Sequence, residues 1–268
     1  MSNPTVVVVT GVSSGIGRTT AEQFARRGCR VFGTVRSIAR TAPVAGVELI
    51  EMDVRDDASV QSGIRTIVER AARIDVLVNN AGTSLIGAVE ETSVVEAAAL
   101  FDTNVFSILR TVQAVLPHMR ARRGGRIVNV SSVLGFLPAP YMGLYAASKH
   151  AVEGLTETLD HELRQFGIRA TLVEPSFTRT SLDVNAPRAS AKIADYDRER
   201  TLAARAVVDN VKAAPDPDGV ASTIVEAALG AWRMRRAPSG EASLLRTLRR
   251  FMPAGPVDSS LRKKFRLG

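Results

Sequence analysis

A tyrosine and a lysine four residues apart, Tyr145 and Lys149, are the pair in this chain best suited to moving a proton. On a helix, positions i and i+4 share a face, so both side chains project the same way. A free phenol titrates near ~10 and is a poor acid–base catalyst at neutral pH. A neighbouring ammonium favours the phenolate and lowers that value. Such a phenol could give a proton to a carbonyl oxygen or take one from an alcohol. Ser132, thirteen residues before the tyrosine and at the end of an apolar run, could donate to the same oxygen and stabilise charge developing there. Each has a plainer reading. Tyr145 could be an interfacial helix residue, Lys149 a solvated charge, and Ser132, with Ser131 as its equal, the cap of a strand.

A second constellation is the run Thr10-Gly11-Val12-Ser13-Ser14-Gly15-Ile16-Gly17, which follows the β-branched segment Val6–Thr10 and opens a helical stretch. Glycine at 11 permits a tight turn, and at 15 and 17 the missing side chains let a pyrophosphate and a neighbouring strand approach closely. The loop and first helical turn, with Ser13, Ser14 and Ile16, then present backbone amides where the helix dipole favours negative charge. The end of the second strand bears on which dinucleotide fits. NAD sites place an acid about twenty residues after the glycines to hold the ribose 2′-hydroxyl. Here Val35 and Arg36 occupy that stretch, and the next acid is Glu48. A guanidinium can pair with a 2′-phosphate in forked geometry, and Ser13 and Ser37 could add donors, so NADP(H) is expected over NAD(H). The alternative is that Arg36 is a solvated surface residue.

These groups must be held by a frame, and the frame is legible. Near-continuous apolar runs at Val6–Thr10, Arg30–Val35, Val47–Val54, Ile74–Asn79, Arg126–Ser131 and Ile168–Val173 read as strands buried on both faces. Helical stretches lie between them at Ile16–Arg27, Asp57–Ala72, about Val94–Arg122 and Tyr145–Gln165, with Gly28, Gly124–Gly125 and Gly167 at their expected left-handed stops. This alternation predicts an α/β fold: a single-domain, doubly wound parallel sheet, Rossmann-like, with helices on both faces over residues 1–268. Residues 178–217 read as a mobile substrate loop with a helix or two, at the strand edge where such sheets bind ligands. Asp218–Gly230 reads as a further helix. No final strand is legible in Arg233–Gly240. Ser243–Met252 carries Leu244, Leu245, Leu248, Phe251 and Met252 on one side and Arg246, Arg249 and Arg250 on the other. Packing on the body is preferred there to a membrane-surface role, with a lid over an apolar substrate between the two.

Composition narrows the classes. Apolar residues are 45% and charged residues 23% of 268, as in an ordinary globular chain. The net charge of +8 sits wholly in the basic extension 233–268, where ten Lys or Arg face only Glu241 and Asp258. A neutral body without interleaved aromatics argues against nucleic acid. No apolar run approaches the ~18 residues of a membrane span, and Val6–Val9 is too short for a signal peptide core. One cysteine, Cys29, leaves no disulfide framework and no multi-cysteine metal site, so no metal is expected. The expectation is a cytoplasmic protein.

The glycine run, Asn79-Asn80-Ala81-Gly82, Ser132 and Tyr145-Ala146-Ala147-Ser148-Lys149 together resemble the short-chain dehydrogenase/reductase family from about residue 4 to 180. The resemblance implies an oxidoreductase in which Tyr145, Lys149 and Ser132 act on a carbonyl or alcohol while the lysine also holds the cofactor ribose. Asn104 matches the family asparagine that keeps a water beside the lysine. Asp53, with the Val54 amide, is similar to the pair that holds the adenine ring, although Asp53 equally suits a helix cap. Asn80, Ala81 and Gly82 would line the adenosine and nicotinamide ribose. Pro175, Ser176, Thr178 and Thr180 fall in the loop whose backbone binds the carboxamide. The family's Pro-Gly is Pro175-Ser176 here, and a left-handed backbone would strain that serine by roughly a kcal/mol or more.

The contexts around Ser132, Glu153 and Glu174, with the long tail, resemble the hydroxysteroid/retinol dehydrogenase-like branch. Phe136, Leu137, Pro138, Tyr141, Met142 and Leu144 could wall an apolar pocket for a lipophilic carbonyl or secondary alcohol. Alternatives are a 3-oxoacyl-thioester reductase and, in another class, a non-catalytic NADP-binding sensor or scaffold. A homodimer or homotetramer is expected by resemblance, through the helices carrying Asn104 and Tyr145. Ala151, Val152, Leu155 and Leu159 suit either that contact or the internal core.

Overall fold

The computed structural model describes residues 3–249 and 254–267. Its seven strands are β1 (Val6–Thr10), β2 (Arg30–Val35), β3 (Val47–Glu51), β4 (Val76–Asn79), β5 (Gly125–Val130), β6 (Ile168–Val173) and β7 (Arg235–Arg236). They form one parallel sheet in the order β3-β2-β1-β4-β5-β6-β7. Side chains alternate across a strand, and both faces are covered. Val6, Val8, Phe32, Leu77 and Ile127 pack under α2 (Asp57–Ala71), α4 (Ser107–Ala121) and α5 (Gly143–Leu163). Val7, Val9, Val31, Val78 and Val128 pack under α1 (Gly15–Arg26) and α7 (Asp218–Leu229). This is the Rossmann-like doubly wound sheet, and its order reverses between β1 and β4, which opens a crevice there.

Departures from the sequence reading are local. The long stretch from Val94 is α3 (Val94–Phe101), a wide π turn at Asp102–Phe106, then α4. Gly28 and Gly167 take the left-handed stops as expected, but after α4 that conformation falls on Arg123 rather than on Gly124 or Gly125. β7, not legible beforehand, pairs Leu172 with Arg235 and Val173 with Arg236. Its arginine is tolerated because Glu153 and Glu157 from α5 and Glu174 at the end of β6 supply carboxylates to it, Glu174 at 2.6 Å and Glu157 at 2.7 Å. Charged residues in a strand of two carry no apolar signature.

Residues 178–217 contain one long helix, α6 (Asp197–Ala213). The stretch before it is pinned to the body: Ile86 N donates to Pro187 O at 3.0 Å, Ala189 N to Ile86 O at 3.0 Å, and Ile193 N to buried Glu91 at 2.9 Å. The extension forms α8 (Glu241–Arg249) and α9 (Ala254–Lys264). In α8, Ala242 is buried and Leu245 packs near Val133 and Leu137, while Leu244 faces outward. Arg250, Phe251 and Met252 of the expected amphipathic stripe lie outside the described residues. Among the described residues no helix is long and apolar enough to cross a membrane. No group of three or more His, Cys, Asp or Glu there could hold a metal. Val152 and Leu159 are core residues and Leu155 packs against them, so that face of α5 serves the interior.

Candidate active site

A cleft of about 730 Å³ runs over the carboxyl ends of the strands, from the glycine loop to the C-terminal helices. At its glycine-loop end, Gly11 and Gly15 hold φ of 72° and 56°, a region that favours glycine. A Cβ on Gly17 would stand 2.3 Å from both Asn80 Nδ2 and Gly11 O. The loop is braced from beneath. Asn80 Nδ2 donates to Thr10 O at 2.9 Å and Gly11 O at 3.2 Å, and Thr10 Oγ1 accepts the Asn80 and Ala81 amides, both at 3.0 Å. Ser14 is the N-cap of α1, yet its side chain makes no cap bond and the first turn holds no acid. The first-turn amides at Gly15, Ile16 and Gly17 therefore suit an anion. Ser13, Ser14, Gly15, Ile16 and Gly17 all line the cleft, as do Ala81 and Gly82 opposite.

At the end of the cleft beside β2, Arg36 lines it, exposed, as do Asp53 and Val54; Ser37 does not. Asp53 does not cap a helix, because Asp56 caps α2, accepting from Ser59 N at 2.6 Å. Instead Asp53 takes both arms of Arg55, at 3.1 and 2.8 Å. That pairing, with Arg36 nearby, holds its carboxyl below the ordinary range. Arg55, which the sequence reading missed, also lines the cleft. Its only sequence signal is its place two residues after Asp53.

Tyr145, Lys149 and Ser132 line the middle of the same cleft. All three are buried, and Lys149 Nζ stands 5.8 Å from the Tyr145 ring centre. Lys149 Nζ donates to Val130 O at 2.9 Å. Burial lowers its pKa to about 8, against the nearby charges of Glu153 and Asp183. The expected downward shift of the phenol is overturned. Burial raises the Tyr145 pKa, the charge of Asp183 adds to the rise, and the Ser132 hydroxyl only partly opposes it. Ser132 Oγ accepts from Leu134 N at 3.1 Å and donates a long bond to Pro175 O at 3.4 Å. Ser131, its sequence equal, lines the same cleft, but its Oγ lies by Gly135 and Glu153: a Cβ on Gly135 would meet Ser131 Oγ and Glu153 Oε1, each at 2.7 Å.

Asn104 is buried in the π turn and, unlike the other predicted site residues, does not line the cleft. Its Oδ1 accepts from Thr83 N at 2.9 Å, and its Nδ2 donates to Thr83 O at 2.9 Å and Ser148 Oγ at 3.0 Å. The amide is thereby fully engaged beside Lys149. Pro175, Ser176, Thr178 and Thr180 line the far wall, and Thr180 lies 3.2 Å from where a Cβ on Gly15 would stand. Ser176 is absent from the residues with positive φ, so replacing the family glycine causes no left-handed strain.

Beyond the tyrosine the cleft turns apolar. Leu137 and Met142 of the expected wall line it; Phe136, Pro138, Tyr141 and Leu144 do not. The wall is completed by Leu85, Phe177, Leu245 and Phe265, the last two from the C-terminal extension. At the mouth Lys264 pairs with Glu241 and sits 5.3 Å above the Phe177 ring. The carboxylate of Asp183, also missed, reaches the same chamber.

Such a sheet, with a phosphate cradle and a tyrosine–lysine–serine cluster in one cleft, defines a dinucleotide-linked oxidoreductase. The chain matches the family model described as short chain dehydrogenase over residues 5–191. It is 36% identical to retinol dehydrogenase 8 of Bos taurus, over 95% of this chain and 88% of that one. It is 38% identical to a 3-ketodihydrosphingosine reductase of Bacteroides thetaiotaomicron, over 68% of this chain and 67% of that one. A solved short chain dehydrogenase/reductase from Burkholderia phymatum in complex with NAD superposes with a TM-score of 0.80 at 30% identity, covering 92% of this chain and 94% of that chain. The chain belongs to the short-chain dehydrogenase/reductase family, in its hydroxysteroid/retinol dehydrogenase-like branch.

Proposed function

We propose that the protein is an NADP(H)-dependent oxidoreductase that interconverts a carbonyl and a secondary alcohol on a lipophilic substrate, with Tyr145 as acid and base. The observation that carries this reading is the placement of Tyr145, Ser132 and Lys149 in one cleft between a phosphate cradle and an apolar chamber. The open first turn of α1 and the glycine loop suit the pyrophosphate of a dinucleotide, which when bound supplies or accepts the hydride. In reduction Tyr145 gives its phenolic proton to the carbonyl oxygen. A phenol whose pKa is raised keeps that proton across neutral pH and is well suited as the acid. Ser132, released from its long bond to Pro175 O, donates to the same oxygen. The Lys149 ammonium stabilises the phenolate left behind. Asn104 acts as a positioning residue, its amide tying the π turn to Ser148 one residue before the lysine. An intact proton donor set argues against a mere sensor.

NADP(H) is supported by Arg36 and Arg55 at the ribose end, where Asp53 is already neutralised by its own arginine. Residues 178–217 act as the substrate loop, and α8 and α9 close the outer chamber, which favours a free lipophile over a 3-oxoacyl thioester carried by a bulky partner. We further infer a cytoplasmic homo-oligomer paired through the π turn and the start of α4, where Phe106 and Leu109 are 47% and 43% exposed. NADPH consumption over ketones graded by size and hydrophobicity tests the reading. Tyr145→Phe is expected to lower turnover about a thousandfold with dinucleotide affinity kept. Substantial residual turnover would defeat the assignment of Tyr145.

A further inference from the structure

Asp183 sits on a turn of the substrate loop where Asn185 N donates to Ser181 O at 2.9 Å. The loop is fixed just beyond it by the exchange between Ile86 and residues Pro187 and Ala189, so the carboxylate is held in place rather than swinging in solvent. Its Oδ1 is buried with no hydrogen-bond partner, and so is the Ser84 hydroxyl; both residues line the chamber beside Tyr145. Buried acceptors are rarely left unmade, and one that is calls for an explanation.

No ion pair to Asp183 forms among the described residues, although the Lys149 charge acts on it through space. Lys149 donates to Val130 O at 2.9 Å, and Lys264 at the mouth pairs with Glu241. The carboxyl is pushed upward in pKa by burial, with Ser84 and Lys149 only partly opposing. An acid with a bare buried oxygen near the proton donor, its charge only partly offset by Lys149, suits a cation that arrives with the substrate. The Ser84 hydroxyl beside it can accept a second hydrogen from a three-donor ammonium.

We propose that Asp183 determines specificity by pairing with a protonated amine carried close to the reacting carbonyl, so that the substrate class is a lipophilic amino ketone or the corresponding amino alcohol. This rests on the function proposed above. Its test uses the full chain with NADPH and straight-chain ketones of one length bearing an amine, a hydroxyl or only hydrogen on the carbon beside the carbonyl. The amino ketone is expected to lead in kcat/KM by about 30-fold, mainly through KM. Asp183→Asn should erase that lead and Asp183→Glu restore part of it. A parallel loss on all three ketones, or a wild-type protein that treats amine and hydroxyl alike, overturns the proposal. If no ketone is consumed, the function itself fails, and calorimetric binding of the amino alcohol still decides the inference. Binding lost in Asp183→Asn sustains it, and equal or absent binding in both proteins refutes it.

Discussion

Replacing Arg36 with alanine tests cofactor choice at a single side chain. The guanidinium stands exposed at the end of β2, lines the cleft, and makes no ion pair among the described residues. Arg55 is tied to Asp53 by two bonds, so Arg36 is the cation left free to fork onto a 2′-phosphate. Hydrogen bonds to charged groups contribute about 1.5–3 kcal/mol. Exposure and salt reduce this toward the low end. About 1.5 kcal/mol corresponds to roughly tenfold in Kd. Arg36→Ala is therefore expected to weaken NADPH about tenfold and leave NADH unchanged, and the difference should shrink as salt rises. Arg36→Lys should fall between, since it keeps the charge but not the fork. Fluorescence titration with both dinucleotides measures this directly. An equal loss for both, or none for NADPH, refutes the reasoning and makes Arg36 an ordinary surface residue.

Other expectations follow from the buried charges and the tight loop. With Lys149 near 8, its ammonium persists below that pH, so reduction should fall as pH rises through about 8 and the phenolate left on Tyr145 loses its cation; a flat reductive profile to about pH 10 contradicts this. Glu153 is raised to about 7 by burial and by the charge of Glu174. Its folded form therefore binds a proton more tightly than the unfolded chain, near ~4.3, and the stability it contributes is full below that value and lost as pH rises through about 7. Glu153→Gln should flatten that slope in thermal melts. Arg235→Ala leaves Glu153 and Glu174 facing each other without their cation and should cost about 3 kcal/mol in denaturant unfolding at alkaline pH, and less in acid where both carboxyls protonate. Gly17→Ala drives a methyl into Asn80 and Gly11 and should cost about 1–3 kcal/mol while weakening dinucleotide binding; unchanged affinity would show that the loop is not the cradle.

The strands from Val6 to Val173 were readable because parallel strands covered on both faces must be apolar throughout. β7 escaped because it consists of two arginines, and the carboxylates that answer Arg235 lie in α5 and just after β6, remote in sequence. The same physics divides the site. Gly11, Tyr145 and Lys149 announce themselves by local spacing, since one turn or one helix face sets their geometry. Arg55, Asp183 and Phe265 do not, because only the closed fold brings them to the cleft. The phenol's environment was misjudged for a related reason. Spacing reveals that a lysine is near, but not that burial and an acid from a distant loop push the phenol upward.

The π turn at Asp102–Phe106 also governs which changes of chain length the molecule tolerates. A helix advances about 100° per residue. Deleting one residue there would either swing Val94–Phe101 round by that angle or pull Asn104 away from Thr83 and Ser148. A shortening that a surface loop absorbs without loss is thereby barred from a five-residue window forty positions upstream of the tyrosine, and the extra residue has to be inherited or discarded together with the bonds that hold it.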